Sequence, residues 1–495
     1  MTDGFPLRMA SAETFAAVRD FLRSSGYTED FLLERFQVPG IHVLLTPFGL
    51  AEQYLGLKYR GDGLPIFLAR TLFGGFLAAR EEAERYLPTN VSAALFELGI
   101  LEAVPGDNAR VRTTVLLHPA NGIFVAADRG FWSEGIAYSS SDFVMSGIEN
   151  LSRRYFDCVS KSPCRTFLEV GTGAGYGALA ATAFADHVWA TDITERAVRY
   201  AAFNRELNAA KNMEVLQGDL FAPVAGMRFD RIACHPPFEP ALKQDFVFSI
   251  GGEDGEAIIS RVVAEAPAYL EPGGRLYCQV IGTDRYEEPL EARVCKWLGT
   301  ALEECDVALF VRFSCKPMEY ATEQVLAENS DAWKLQEWSL LYQKLKAEQV
   351  VIGQLVLQKP KSPRAVFRTR RSFGPKTGIA EMDALLDWET RCVEPGFAAW
   401  MLRQRPAQGQ GWELYVRHTM KSGSLAAFSH TFFSQHPFET NLHCSPWMPV
   451  MVSRCDGMQS FEDHLAWLQR RMALHEEEFL RAAGALVSSD ILRLA

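Results

Sequence analysis

The stretch from Thr166 to Phe238 constrains this chain more than any other. It opens Thr166-Phe167-Leu168-Glu169-Val170-Gly171-Thr172-Gly173-Ala174-Gly175, an apolar strand running into three glycines at alternate positions. The segment Tyr176 to Ala185 then has helical character. A strand, a glycine turn and a helix in that order suit a nucleotide or nucleoside, because glycine tolerates positive φ and lets a ligand approach the backbone with no Cβ in the way. Such glycines also occur in dehydrogenases, whose G-x-G-x-x-G lies near the start of the fold.

The residues that would hold the rest of such a ligand follow at suitable distances. Asp192 stands 17 residues beyond Gly175, after the strand-like His187 to Thr191. A carboxylate at the tip of a second strand can accept both ribose hydroxyls. A third strand-like segment, Met213 to Gln217, ends at Gly218-Asp219-Leu220-Phe221, where Asp219 can accept from an adenine amino group and Leu220 or Phe221 can lie on the ring. Phe229 to Cys234 then leads into His235-Pro236-Pro237-Phe238.

These residues together resemble the core of the class I S-adenosylmethionine-dependent methyltransferases, in the branch with N-P-P-F/Y after the fourth strand. Gly251-Gly252-Glu253-Asp254-Gly255 is similar to the G-G-x-D-G stretch of protein-glutamine methyltransferases, and the resemblance runs from about Ser140 to Gln358. It implies a seven-stranded doubly wound α/β sheet and S-adenosylmethionine as cofactor. It also implies cofactor contacts from Glu169, Gly171, Gly173, Gly175, Asp192, Asp219 and Leu220, and an acceptor site at His235, Pro236 and Phe238. In that branch an asparagine and the first proline's carbonyl accept the two hydrogens of a poorly nucleophilic nitrogen, while the aromatic ring stacks on its planar group. Here His235 stands in the asparagine's place. Imidazole can accept one hydrogen bond or take a proton near neutral pH, and Glu239 adds a carboxylate next to the motif.

Outside this core the chain reads as two further regions. Residues 1–130 read as a helical, winged-helix-like domain: Phe15, Val18, Phe21 and Leu22 share one helical face, and Leu68, Leu72, Phe73, Phe76 and Leu77 another. A helical pattern from Asn90 gives way at Gly99 to the alternating Val111–Leu117. Ser139-Ser140-Ser141-Asp142 predicts the cap of a helix from Phe143. The methyltransferase domain occupies 131–358, with strands six and seven at Val307–Phe313 and Val350–Gln358 and an amphipathic run, Thr322 to Lys346, between them.

Residues 359–495 read as a linker and an α+β accessory domain, with one helix over Phe461–Ala483. Arg368, Arg370 and Arg371 make the clearest basic run, which suits either a solvated linker or an RNA contact.

The formal charge of −11 disfavours extensive non-specific binding to nucleic acid. Ten cysteines without a C-x-x-C pair indicate reduced thiols rather than a zinc ribbon or disulfide framework. His430, His436, His443 and Cys444 fit no common zinc spacing, so no metal site is expected. No apolar run is long enough for a membrane helix and the first residues lack secretory character, which places the chain in the cytoplasm.

The functional expectation is therefore N-methylation of a small or medium-sized acceptor, a guanidino or amino compound suiting the carboxylates near the motif. A protein glutamine or RNA base is the alternative acceptor, and a non-catalytic cofactor-binding module is a second alternative.

Overall fold

The computed structural model describes residues 4–45, 60–132, 135–136, 140–148, 150–240, 247, 249–327, 332–422 and 424–494. The chain divides into two compact units, Met1–Cys278 and Gln279–Ala495.

In the first unit, helix Ala12–Ser24 starts at Ser11, whose hydroxyl accepts the amide of Thr14, and it buries Phe15, Val18 and Leu22. Phe15 meets Phe203 edge to face, with ring centroids 5.1 Å apart. Strand Ala78–Ala79, helices Arg80–Tyr86 and Thr89–Glu97, and the hairpin Leu101–Val104/Asp107–Thr113 follow one another. The first of these strands pairs with the last, which also pairs with the middle one, so the last strand lies at the centre of this small sheet. The alternating stretch read as one strand to Leu117 is interrupted after Thr113, and a new strand starts at Leu116. That strand, Leu116–Ala120, turns at Asn121-Gly122, both at positive φ, and returns as Ile123–Ala127.

Five parallel strands form the centre of this unit: Cys164–Val170, Ala185–Asp192, Met213–Gln217, Phe229–Cys234 and Leu270–Arg285, the last running on into the second unit. Numbered along the chain, their spatial order is 3-2-1-4-5. The order reverses between strands one and four, and ligands bind outside the carboxyl ends of the strands at such a switch point. The register makes this concrete. Val170 pairs with Cys234 and with Thr191, and Gln217 pairs with Asp192. Gly171, Asp192, Gly218 and His235 therefore leave their strands at one edge of the sheet.

Helix Glu195–Asn208 is clamped to this edge by buried polar groups. Arg196 makes two bonds to Asp128, of 2.8 and 2.5 Å, and Tyr200 donates to the same carboxylate at 2.7 Å. Asn204 accepts from the amide of Ala126 and donates to the carbonyls of Ala126 and Ala174, so one side chain ties the Leu116–Ala127 hairpin to the glycine turn.

The helix expected from Phe143 is absent. Residues 143–148 are not helical; the helix is Asn150–Asp157, preceded by Gly147 at positive φ. A Cβ on Gly147 would come within 2.7 Å of the Tyr176 Cβ, so this backbone passes too close to the core for a helix with side chains all round. Ser139, the first residue of the expected cap, lies outside the described residues.

In the second unit, Asp306–Cys315 and Ala347–Gln358 pair antiparallel. The insertion between them is two helices, Pro317–Ala327 and Lys334–Leu345, instead of one run. An eighth strand, Arg368–Ser372, pairs parallel with Asp306–Cys315 where the sequence suggested a linker. Its arginines face carboxylates: Arg370 bonds Asp284 at 2.8 Å and Glu291 at 2.7 Å, Arg371 lies 3.5 Å from Glu389, and Arg368 is 3.9 Å from Glu303. Arg370 and Arg371 are thus engaged by carboxylates of their own unit, while Arg368 stays largely exposed.

The expected long C-terminal helix is two, Phe461–Gln469 and Glu476–Ser488. Glu476, Glu477 and Glu478 suit the positive end of a new helix dipole rather than the middle of an old helix.

Candidate active site

The glycine turn is built for space. Gly171, Gly173 and Gly175 all have positive φ, at 73°, 55° and 87°. A Cβ added to Gly171 or Gly173 would meet nothing within 4 Å, whereas one on Gly175 would press on Ala201 at 3.2 Å. The first two glycines thus border an open cradle, and the third lets the turn pack on helix Glu195–Asn208.

Asp192 holds this turn in place. Its Oδ2 accepts the Gly173 amide at 2.9 Å, and its Oδ1 accepts the amide and hydroxyl of Thr194, both at 3.0 Å. Thr194 in turn caps the next helix. The carboxylate is oriented from two sides and still borders the cradle through the residue it fixes.

Glu169 works behind the turn. It is buried, accepting from the Thr172 hydroxyl at 2.5 Å and the Ala178 amide at 2.7 Å. Burial pushes its pKa up to about 7 against the pull of those bonds. Gly177 is the space that carboxylate needs, because a Cβ there would stand 2.0 Å from Glu169 Oε1.

The structure separates the residues read as adenine contacts. Asp219 is exposed and held by Arg261, with bonds of 2.8 and 3.3 Å. Leu220 sits at positive φ and its carbonyl accepts the Thr191 hydroxyl, which keeps it at the sheet edge. Phe221 is buried and stacks on Tyr269 at 4.6 Å, so of the two apolar candidates only Leu220 is placed beside the cradle. Ile193 escaped the sequence reading. It follows the Asp192 carboxylate and is 57% exposed, a large apolar side chain left uncovered at the same edge. An apolar residue in a loop directly after the Asp192 carboxylate was the available signal.

On the other side of the switch point stands His235. Its Nδ1 lies 3.4 Å from Ser152 Oγ on helix Asn150–Asp157. Its Nε2 is shut off from solvent and has no hydrogen-bond partner among the described residues. Burial pulls its pKa down to about 4, so the ring is neutral at pH 7. The Phe238 ring lies nearly parallel to it, at 7° with centroids 5.9 Å apart, and Tyr155 forms a tilted wall at 5.5 Å. Tyr155 is itself fixed by donating to the Tyr277 carbonyl at 3.0 Å. Ser152 and Tyr155 carried no sequence signal, since only folding brings that helix to the motif.

Pro236 is buried within the motif, and the backbone after it is braced. Glu239 donates its amide to Ser249 and accepts from Gly251, both at 2.7 Å. Gly255, at φ 82°, packs so closely that a Cβ would approach the Phe238 carbonyl to 2.3 Å. The Gly251–Gly255 loop thus buttresses the motif with its backbone. Asp254 spends Oδ1 on the Glu256 amide, and Glu253 is exposed.

The family model described as the methyltransferase small domain matches residues 136–301. The chain therefore carries a class I S-adenosylmethionine-dependent methyltransferase domain. Among its relatives are the release factor glutamine methyltransferases of Yersinia pestis, 36% identical over 31% of this chain, and of Xylella fastidiosa, 33% identical over 32%. The ribosomal protein uL3 glutamine methyltransferase of Xanthomonas campestris is 32% identical over 23% of this chain. The matches span 59%, 63% and 41% of those proteins' own lengths.

The cofactor of this domain class is S-adenosylmethionine, and the residues present fit it. An open cradle is lined by two glycines, an oriented carboxylate stands beside it, and Ile193 and Leu220 lie at the same edge. Among the described residues no helix is long and apolar enough to cross a membrane.

Proposed function

We propose that this protein is an S-adenosylmethionine-dependent N-methyltransferase whose acceptor is the side-chain amide of a glutamine in a protein. The observation that carries the reading is the buried, unpartnered Nε2 of a neutral His235 at the switch point, beside the buried Pro236. Bound S-adenosylmethionine supplies an electrophilic methyl group on a sulfonium.

An amide nitrogen is a poor nucleophile because its lone pair is delocalised. The protein's task is to place that nitrogen and hold its hydrogens, and placement is where most of the catalysis lies. With its N–H directed to Ser152 Oγ, His235 presents a lone pair at Nε2 for one amide hydrogen, and the Pro236 carbonyl takes the other. The Phe238 ring offers a flat surface parallel to the imidazole for the planar amide.

A ring with a pKa of about 4 accepts a hydrogen bond at pH 7 but is a weak base, so His235 positions the amide instead of carrying off a proton. A neutral imidazole also offers no counter-charge to a cation. This argues against the guanidino or amino acceptor suggested by the nearby carboxylates, and the relatives' names give that acceptor no support.

The test is transfer of labelled methyl into an extract of the source organism, separated into protein, RNA and small-molecule fractions. The expected result is label in protein, mapping to glutamine by mass spectrometry. His235→Ala should lower the rate by on the order of 10²-fold, the scale of one lost positioning group, with cofactor affinity unchanged. His235→Asn should retain transfer. Label confined to RNA or to small molecules overturns the reading, and cofactor binding with no label anywhere leaves a binding module.

A further inference from the structure

The second unit contains a surface that the methyltransferase reading does not use. Strands Trp412–Lys421, Ser424–Ser434 and Thr440–Cys444 form an antiparallel sheet in that order. One face is filled: Phe432 is fully buried, and Trp412, Leu414, Leu442 and Cys444 pack with it on the core that holds Trp447, Phe461 and Phe479. Alternation along the strands puts Tyr415, Arg417, Thr431, Phe433, Asn441 and His443 on the opposite face.

That face is open and aromatic. Tyr415 is 56% exposed and meets Phe433 edge to face at 5.9 Å. The register slips between Arg417 and His418, which pair with Ser429 and Ala427, so Phe428 is the extra residue of a bulge. Bulges re-aim side chains. Here the bulge leaves Phe428 62% exposed, with the Arg417 guanidinium 4.5 Å from its ring centroid. Thr431 and His443 share a hydrogen bond of 2.7 Å between neighbouring strands.

Charge narrows the occupant. The chain carries −11 overall, yet between Glu413 and Glu439 the sequence has no Asp or Glu, while it has Arg417, Lys421 and three histidines. Glu413 lies on the same face, opposite Phe433, where the Tyr415 hydroxyl engages it at 2.6 Å. Exposed aromatics, a guanidinium plane and hydroxyl, amide and imidazole groups, with that one carboxylate already engaged, match a flexible polyanion with flat bases.

We infer that this sheet face binds single-stranded RNA. Tyr415, Phe428 and Phe433 stack bases, Arg417 serves a phosphate or a base plane, and Thr431, Asn441 and His443 meet ribose 2′-hydroxyls, which DNA lacks. The inference is independent of the methyl acceptor.

The experiment uses the full chain and a fluorescein-labelled, mixed-sequence single-stranded RNA roughly 12 nucleotides long, within the span one such surface covers. Anisotropy should show binding that weakens with salt. Tyr415→Ala and Phe428→Ala should each cost roughly 10-fold, as expected for a lost base stack. Arg417→Gln should weaken binding and flatten its salt dependence. Because these side chains are exposed, the variants should melt with the wild type, and that melt is measured alongside.

Equal affinity for duplex RNA or for DNA of the same sequence overturns the inference, as does binding that the three substitutions leave unchanged. Absence of RNA binding together with self-association that depends on Tyr415 and Phe428 would make the face a contact between copies.

Discussion

The glycine turn and the His-Pro-Pro-Phe motif leave neighbouring strands at the same level, since Val170 pairs with Cys234, but they are held by opposite means. The turn is held locally: Asp192, Thr172 and Glu169 bond its own backbone and side chains, and its glycines leave space empty. The motif is held from a distance. Helix Asn150–Asp157, Tyr277 and the Gly251–Gly255 loop wall it in, and the Nε2 of its histidine has no partner among the described residues. A site for a ligand common to many enzymes is made by absence of atoms, and a site for a particular acceptor by the environment of one atom.

The largest test of this contrast lies within the turn. Gly177→Ala should displace Glu169 from Thr172 and Ala178, costing about 1–3 kcal/mol of stability as overpacking does and lowering cofactor affinity. Gly173→Ala meets no neighbour, so denaturant unfolding should show only about 1–2 kcal/mol of left-handed backbone strain, while calorimetry shows cofactor binding lost because the cradle is filled. If both variants lose fold and binding together, the cradle is not a separate space.

A second test is Glu169→Gln. A carboxyl whose folded pKa is raised from 4.5 to about 7 contributes stability that is full below the unfolded value and is lost as pH rises through 7. The glutamine variant should be more stable than wild type at pH 8, by up to ~3 kcal/mol, and the advantage should vanish below pH 4.5. Urea unfolding at the two pH values measures it. No difference at pH 8 would mean that this carboxyl is not desolvated in the folded protein.

The smallest effect belongs to the motif. Ser152→Ala removes a weak bond of about 0.5–1 kcal/mol, so transfer should slow a few-fold with cofactor affinity unchanged. In a His235→Asn background the same change should do nothing, because an amide side chain has no tautomer to select. An equal loss in both backgrounds would make Ser152 a packing residue.

The glycines, Asp192 and the strand alternation were legible in the sequence because their roles are local: positive φ, a turn, a strand end. Asp219, Phe221, Arg370 and Arg371 show what residue type alone leaves open. A residue's type states what it can bond, and the fold had already provided Arg261, Tyr269 and nearby carboxylates as partners. Likewise the helix from Phe143 gave way to a close backbone approach at Gly147 that no local pattern announces.

By itself, then, the sequence determined the succession of the core strands and turns, the cradle's glycines and the place of His235 at a strand end, since chain connectivity and backbone preference act within a few residues. The tertiary structure decided which charges were paired, which tyrosine and serine met His235, and that its Nε2 is shut off from solvent. Burial and pairing are set by residues far apart along the chain, and it is burial that makes this imidazole neutral and leaves it needing a partner.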